Sequence, residues 1–319
     1  MSVFLLRRLA TFAATLLAAT AIVFLVLEIL PGDAAQTMMG ADASPEAVRA
    51  LAAQLGLDRP PLERYAAWLK GLFNGELGSS HAYGSPIAAL IGERLAVTAP
   101  LALLAMALTS VLAMAAGVYA ASRHRRAGDV GVMALTQIGI AIPNFWFAIL
   151  LILVFAVKLR WLPSGGFPGW GESAAERWAA LKSLWLPACS LAVVQAAILA
   201  RITRSAVLEV LREDFMRTAR AKGLTRRAAL WRHALRNALV PVLTVMGLQF
   251  AELLAGTIVV ENVFYLPGLG RLIFQSLANR DLVVVRNCVM LLAAMVIAVN
   301  FAVDVLSAVV DPRLRTQRA

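Results

Sequence analysis

Apolar positions along the chain gather into six long runs, at residues 9 to 30, 98 to 121, 130 to 157, 186 to 200, 239 to 260 and 287 to 306. A helix needs ~20 consecutive apolar residues to cross the hydrocarbon core of a bilayer, and most of these runs reach that length. The fourth is short, but Leu184 and Trp185 extend it outward and Arg201 can snorkel to the interface. The pattern therefore predicts an all-α integral membrane protein with six transmembrane helices. The first run follows Arg7 and Arg8, as a signal peptide would, yet it is longer than a signal core and ends at Pro31-Gly32-Asp33 with no small-residue cleavage site. It reads as a retained first helix.

The segments between the runs carry patterns of their own. Residues 31 to 97 show helical periodicity over Pro45 to Leu55 and again over Leu62 to Leu72, separated by Asp58-Arg59-Pro60-Pro61, where the residue before each proline is pushed out of the helical region. This predicts a small helical cap. Residues 158 to 185 hold Trp161-Leu162-Pro163-Ser164-Gly165-Gly166 and Trp170, the aromatic and turn chemistry of a membrane interface, and predict a re-entrant loop or turn. Pro143 should kink the third span beside Asn144. The organisation expected is a first helix with its cap at 1 to 97 and a core of five spans at 98 to 319.

Composition agrees: 60% of residues are hydrophobic and 15% charged, with a net charge of +11. The charge is unevenly placed. Segments 1 to 8, 122 to 129, 201 to 238 and 307 to 319 hold 18 Lys and Arg against 5 Asp and Glu, while 31 to 97, 158 to 185 and 261 to 286 hold 12 against 11. By the positive-inside rule the first set, both termini included, is cytosolic and the second faces outward. The excess of base is thus a matter of topology and gives no sign of nucleic-acid binding. Cys189 and Cys288 both fall in predicted helices, where a thiol acts as a small apolar group.

The basic segment from Arg201 to Asn237 is the most informative. Leu208, Leu211, Phe215 and Ala219 recur at steps of three and four, predicting an amphipathic helix with Arg212, Arg217, Arg220 and Lys222 mostly on its other faces. Gly223 can take the left-handed conformation that ends a helix, and Thr225 can then cap a second helix carrying Leu230, Ala234 and Ala238. The result is helix, glycine turn, helix. An anchor among anionic headgroups would have the same charge. The small residues Thr218, Ala219, Ala221 and Gly223 at the turn speak instead for close approach by another protein.

Polar side chains inside spans are costly, at least ~2.5 kcal/mol for a central acid on insertion scales, and are candidates for function. Gln249 and Glu252 lie mid-way along the fifth run and, with Asn144, are candidates for lining a translocation path; hydrogen bonding between helices is the competing role. Glu28 and Asp304 lie nearer helix ends, with Asn300 beside Asp304, and read as structural. His81, His124 and His233 are far apart, with no metal-ligand spacing, so no catalytic or metal site is assigned.

The string Asp214-Phe215-Met216-Arg217-Thr218-Ala219-Arg220-Ala221-Lys222-Gly223-Leu224, followed by Arg232-His233-Ala234-Leu235-Arg236-Asn237-Ala238-Leu239-Val240-Pro241, resembles the membrane permease subunits of bacterial ABC importers, in their dipeptide, oligopeptide and nickel branch. Leu30-Pro31-Gly32-Asp33, Leu55-Gly56-Leu57-Asp58, Gly75-Glu76-Leu77-Gly78, Glu261-Asn262-Val263-Phe264, Pro267-Gly268-Leu269-Gly270 and the tail Asp311-Pro312-Arg313-Leu314-Arg315 extend the likeness over nearly the whole chain. The resemblance implies the type I permease fold, a location in the bacterial inner membrane, and a short cytosolic coupling helix that seats in an ATPase. Two ATPase subunits carrying ATP and Mg, a second related permease and an extracytoplasmic binding protein are the implied partners. The residues it implicates in ATPase docking are Arg217, Thr218, Ala219, Lys222 and Gly223; Arg217 stands where the family's Glu-Ala-Ala triplet has its glutamate.

The energy must then come from a partner. A Walker A motif needs Gly-Lys-Ser/Thr, and of the four lysines only Lys182 precedes a hydroxyl residue, with Leu181 in the glycine position. The alternative is an ion-coupled secondary transporter, in which intramembrane acids serve as coupling sites. The chain shows no inverted repeat, which weighs against it. The sequence leaves the solute open.

Overall fold

The computed structural model describes residues 2–29, 36, 39–40, 43–54, 56 and 58–310. The family-like stretches at Leu30 to Asp33, at Leu55 and Leu57, and at 311 to 315 lie outside the described residues. The described helices are α1 (Ser2–Ile29), α2 (Pro45–Gln54), α3 (Pro61–Asn74), α4 (Ile87–Ser122), α5 (Ala127–Ala141), α6 (Asn144–Leu151) continued by a π-helix (Ile152–Lys158), α7 (Ala174–Val210), α8 (Asp214–Ala221), α9 (Arg226–Ala229) continued by a π-helix (Leu230–Ala234), α10 (Leu235–Val263), α11 (Leu269–Ala278) and α12 (Leu282–Val310). Five helical stretches among the described residues are long and apolar enough to cross a membrane, and a sixth arises if the bent pair α5 and α6 counts as one span. The fold is all-α.

Several elements differ from the pattern read in the sequence. Pro143 does more than kink the third run: Ile142 and Pro143 are extended, at ψ 123° and 136°, and the helices on either side meet at 103°. A proline removes one backbone donor and disfavours helical geometry before it, and here the two effects together end one helix and start another. The fourth run is the middle of a 37-residue helix, α7, with Pro187 inside it. Its start is fixed by a capping box, in which Ser173 accepts from the Glu176 N–H and the Glu176 carboxylate accepts from the Ser173 N–H. Only residues 159–173 of the second outer segment are non-helical. Helix α11 falls in a stretch read as a connection.

The chain forms two compact units. One comprises Leu6–Thr98 and Pro267–Ala298. Its core packs Ile87, Leu90 and Ile91 of α4 against Leu269, Leu272 and Ile273 of α11 and Val284, Val285 and Cys288 of α12. A second cluster stacks Phe24 of α1 on Trp68 of α3, with centroids 6.2 Å apart, and sets Tyr65 edge-on to Phe24 at 5.4 Å. Such aromatic pairs contribute ~0.5–1.5 kcal/mol beyond their burial. The Arg286 guanidinium lies 4.7 Å over the Trp68 ring, and the indole N–H donates to Asn287 Oδ1 at 3.0 Å. Arg64 of α3 pairs with Glu28 near the end of α1, which gives Glu28 the structural role expected of it. Asp281 Oδ2 accepts from the Ser80 hydroxyl at 2.6 Å and from the N–H groups of His81 and Ala82 at 3.1 and 3.2 Å.

The other unit comprises Met1–Leu5, Ala99–Leu266 and Val299–Ala319. Within it α7 is the central element, packed along α10, α5 and α6. Gly117 of α4 lets that helix close on α7: a side chain there would start 2.6 Å from the Ala200 carbonyl oxygen and 2.7 Å from Thr203. Residue 117 has room for hydrogen only.

The basic loop and a polar cluster within the spans

The basic loop leaves the long helix by a sharp break. After Val210 the chain turns through Leu211–Glu213, with Glu213 extended at ψ 148°, and α8 begins at Asp214. This break resets the helical phase. The stripe expected from the sequence joined Leu208 and Leu211 to Phe215 and Ala219, but in the structure Phe215 is 43% exposed while Met216 is 1% exposed. Met216 packs into a core formed by Val207 and Leu199 of α7 together with Ala229 and Leu230. It is the anchor of α8, and no uninterrupted period could have found it.

Beyond the anchor the loop follows the sequence closely. Arg217, Thr218, Lys222 and Gly223 are exposed and Ala219 is half-buried, so the five residues form one accessible knob. The Thr218 hydroxyl donates to the Asp214 carbonyl at 3.2 Å, and Arg217 pairs with the Asp214 carboxylate at 3.2 Å across one turn. Both charged side chains remain largely open to solvent, so this is a surface pair. Gly223 has φ +92°, the Leu224 N–H donates to the Ala219 carbonyl at 3.3 Å and the Gly223 N–H to the Arg220 carbonyl at 3.0 Å. These bonds are those of a Schellman turn, which needs a left-handed residue at the glycine position. Thr225 then caps α9 by accepting from the Ala228 N–H at 3.2 Å, and Leu230, Ala234 and Ala238 are all buried.

A charged clamp sits where α7 approaches the loop. Arg204 donates from Nε to Asp129 Oδ1 at 2.5 Å and from Nη2 to Oδ2 at 2.7 Å, while the Arg125 N–H donates to Oδ2 at 2.9 Å and His124 Nδ1 lies 3.3 Å from the same oxygen. Arg125 is left-handed, at φ 61°, so the turn before α5 is wound around this carboxylate. Asp129, 3% exposed, precedes the apolar run that starts at Val130, and the Arg204 guanidinium holds its carboxyl well below the usual carboxylate range. The sequence shows three charged or titratable residues in two separate basic segments; their meeting was not legible in it.

Within the spans, Gln249 and Glu252 of α10 meet Gln195 of α7. Gln249 Nε2 donates to the Gln195 backbone carbonyl at 3.0 Å and to its Oε1 at 3.2 Å, and Gln195 Nε2 donates to Glu252 Oε2 at 3.3 Å. Gln195 and Gln249 are buried, whereas Glu252 is exposed. Gln249 therefore makes interhelical hydrogen bonds, the competing role named for it. Asn144, at the start of α6, places its Nδ2 3.6 Å from the position a side chain would occupy at Gly256, one turn along α10 from Glu252. Gln249 and Glu252 thus lie on α10, and Asn144 reaches the same helix from α6. Gln195 was missed, although a lone amide in an apolar run was a signal available to read. Among the described residues no three His, Cys, Asp or Glu groups are placed to hold a metal ion.

Two family models match the chain: the N-terminal part of the binding-protein-dependent transport system membrane component over residues 1–102, and the binding-protein-dependent transport system inner membrane component over 113–316. A putative peptide transport system permease protein of Brucella abortus is 43% identical over 315 residues, covering 99% of both chains. The dipeptide transport system permease protein DppB of Alkalihalophilus pseudofirmus is 35% identical over 332 residues, covering 99% of this chain and all of that one. The glutathione transport system permease protein GsiC of Escherichia coli is 38% identical over 312 residues, covering 98% of each. With both parts of the chain matched and these likenesses running from end to end, the protein belongs to the family of bacterial ABC importer permease subunits of the peptide and nickel type.

Proposed function

We propose that the chain is one of two paired permeases of an ATP-driven importer that moves peptides or related small solutes inward across the bacterial cytoplasmic membrane. In this reading the fold is the type I permease fold, with residues 1 to 97 as first span and outer cap and 98 to 319 as the core. Both termini and the basic loop lie in the cytosol. Two separate ATPase subunits bind and hydrolyse ATP with Mg, and an extracytoplasmic binding protein delivers the solute.

The observation that carries the reading is the knob formed by α8 and its glycine turn. Helix α8 is eight residues long, held to the body by buried Met216, ended by the left-handed Gly223, and lined outside by polar and small side chains together with Phe215. A headgroup anchor needs charge alone; a rigid, closely approachable tip suits a protein cleft. Arg217, Thr218, Ala219, Lys222 and Gly223 are the proposed contacts with the ATPase. Arg217 and Asp214 both stay exposed there, one turn apart, and both are available to a partner surface. Asn144, Gln249 and Glu252 mark the proposed path, with Gln249 acting through Gln195.

Energy supply tests the reading. Uptake into vesicles containing the assembled importer should follow ATP on the loop side and persist when ion gradients are collapsed. Uptake that follows an ion gradient without ATP would establish a secondary transporter instead.

A further inference from the structure

Helix α10 leaves one face uncovered. Pro241, Thr244, Leu248, Glu252, Ala255 and Val259 are all exposed and recur at steps of three and four, the spacing of a single helical stripe. Its opposite side is packed, chiefly against α7. At 1.5 Å per residue, Glu252 lies about 20 Å from one end of the apolar run 239 to 260 and about 12 Å from the other, well inside the hydrocarbon depth. A carboxylate at that depth does not face acyl chains.

The surroundings of Glu252 present it for use. The Gln195 amide donates to Oε2, the polarity that suits a negative oxygen, and Gln195 is itself fixed by Gln249. Among the described residues no cationic side chain pairs with Glu252. Gln249 Oε1 is buried and has no hydrogen-bond partner, so this amide network is not closed within the chain. A fixed carboxylate in low-dielectric surroundings attracts a cation far more strongly than it would in water.

We infer that Glu252 selects solutes bearing an ammonium or guanidinium group and disfavours anionic ones. This rests on the reading of the α10 face as part of the path. The carboxylate is the specificity-determining group, Gln195 and Gln249 position it, and Asn144 is the neighbouring amide.

The test places a thiol at Ala255, less than one turn from Glu252, in the assembled importer in membrane vesicles, with Cys189 and Cys288 changed to alanine. Two membrane-impermeant methanethiosulfonate reagents of similar size are compared during ATP turnover, one with a trimethylammonium tail and one with a sulfonate tail. After correction for their rates on a free thiol, the cationic reagent should label Ala255→Cys about 10-fold faster. Glu252→Gln should abolish the excess and Glu252→Asp should keep it. Equal corrected rates in the parent chain overturn the inference while leaving the path reading intact, as they would if a cation of the second permease neutralised the carboxylate. No labelling by either reagent means that water does not reach this face, and the path reading falls with the inference. The parent ratio decides even if E252Q assembles poorly.

Discussion

Arg204 holds Asp129 through two parallel hydrogen bonds of 2.5 and 2.7 Å, although 75 residues separate them. The pair ties the first turn of α5 to α7 six residues before α7 ends. The fork of the guanidinium matches the two carboxylate oxygens, a geometry that lysine cannot reproduce.

Removing one partner should therefore be expensive. Asp129→Ala should destabilise the purified chain by about 1–3 kcal/mol, since Arg204 is partly exposed and water can take up some of its lost bonding, and Arg204→Lys should keep only part of that contribution. Asp129 is depressed in the folded state, so its stabilisation is complete above the unfolded carboxylate value of about 3.9 and is lost as pH falls through the lower folded one. The difference in melting between parent and D129A should accordingly be flat from about pH 6 to 8 and shrink only in strong acid. A difference that collapses well above the carboxylate range would mean that the Arg204 pair is not what stabilises this turn.

Met216 anchors α8, so Met216→Ala should leave a void costing about 2–5 kcal/mol and free α8 from the body. Met216→Leu, nearly equal in volume, should cost less than about 1.5 kcal/mol. Limited proteolysis between Arg212 and Arg226 reads the outcome directly: faster cleavage in M216A and none gained in M216L.

Gly223 at φ +92° has nothing within 4 Å of where a side chain would begin, so a substitution there is opposed by backbone geometry and not by crowding. Gly223→Val should cost at least about 1–2 kcal/mol locally and re-aim the knob while the spans remain inserted. We expect normal membrane levels with uptake uncoupled from ATP hydrolysis, and a milder loss for Gly223→Asn. Wild-type ATP-dependent uptake by G223V would remove the knob from the docking surface.

Gln195→Leu strips a donor from Glu252 and one acceptor from Gln249, leaving a buried amide short of partners. The expected loss is about 1–3 kcal/mol. Pairing it with Gln249→Leu should give less than the sum of the two single losses, since both remove the same contact. Additive losses, measured by thermal unfolding in detergent, would show that the two amides act independently.

Much of this architecture could be read from one sequence wherever the cause is local. The Pro45 to Leu55 periodicity gave α2 to within one residue, Thr225 caps as its side chain allows, Gly223 takes the left-handed state, and Leu230, Ala234 and Ala238 are buried together. What escaped depends on tertiary geometry. The break at Leu211–Glu213 shifts the buried position from Phe215 to Met216, because a period holds only while the helix does. The Asp129, His124 and Arg204 clamp joins segments remote in sequence, and Gln195 gains meaning only from Gln249 and Glu252 opposite it. A proline in an apolar run leaves open whether the helix bends or ends; at Pro143 it ends.

Helix α7 has one more consequence, which is mechanical. Its 37 residues make a rod about 55 Å long, well beyond the ~30 Å of a hydrocarbon core. A tilt of about 10° around its midpoint carries the Val210 end sideways by roughly 5 Å, close to one helical pitch. The loop that follows Val210 rides on that end, so a displacement applied at α8 reaches the middle of the rod as a much smaller rotation. The leverage is set by length alone: deleting one turn from the Val210 end would shorten the arm by about a fifth and turn the α8 tip by the phase of the residues removed.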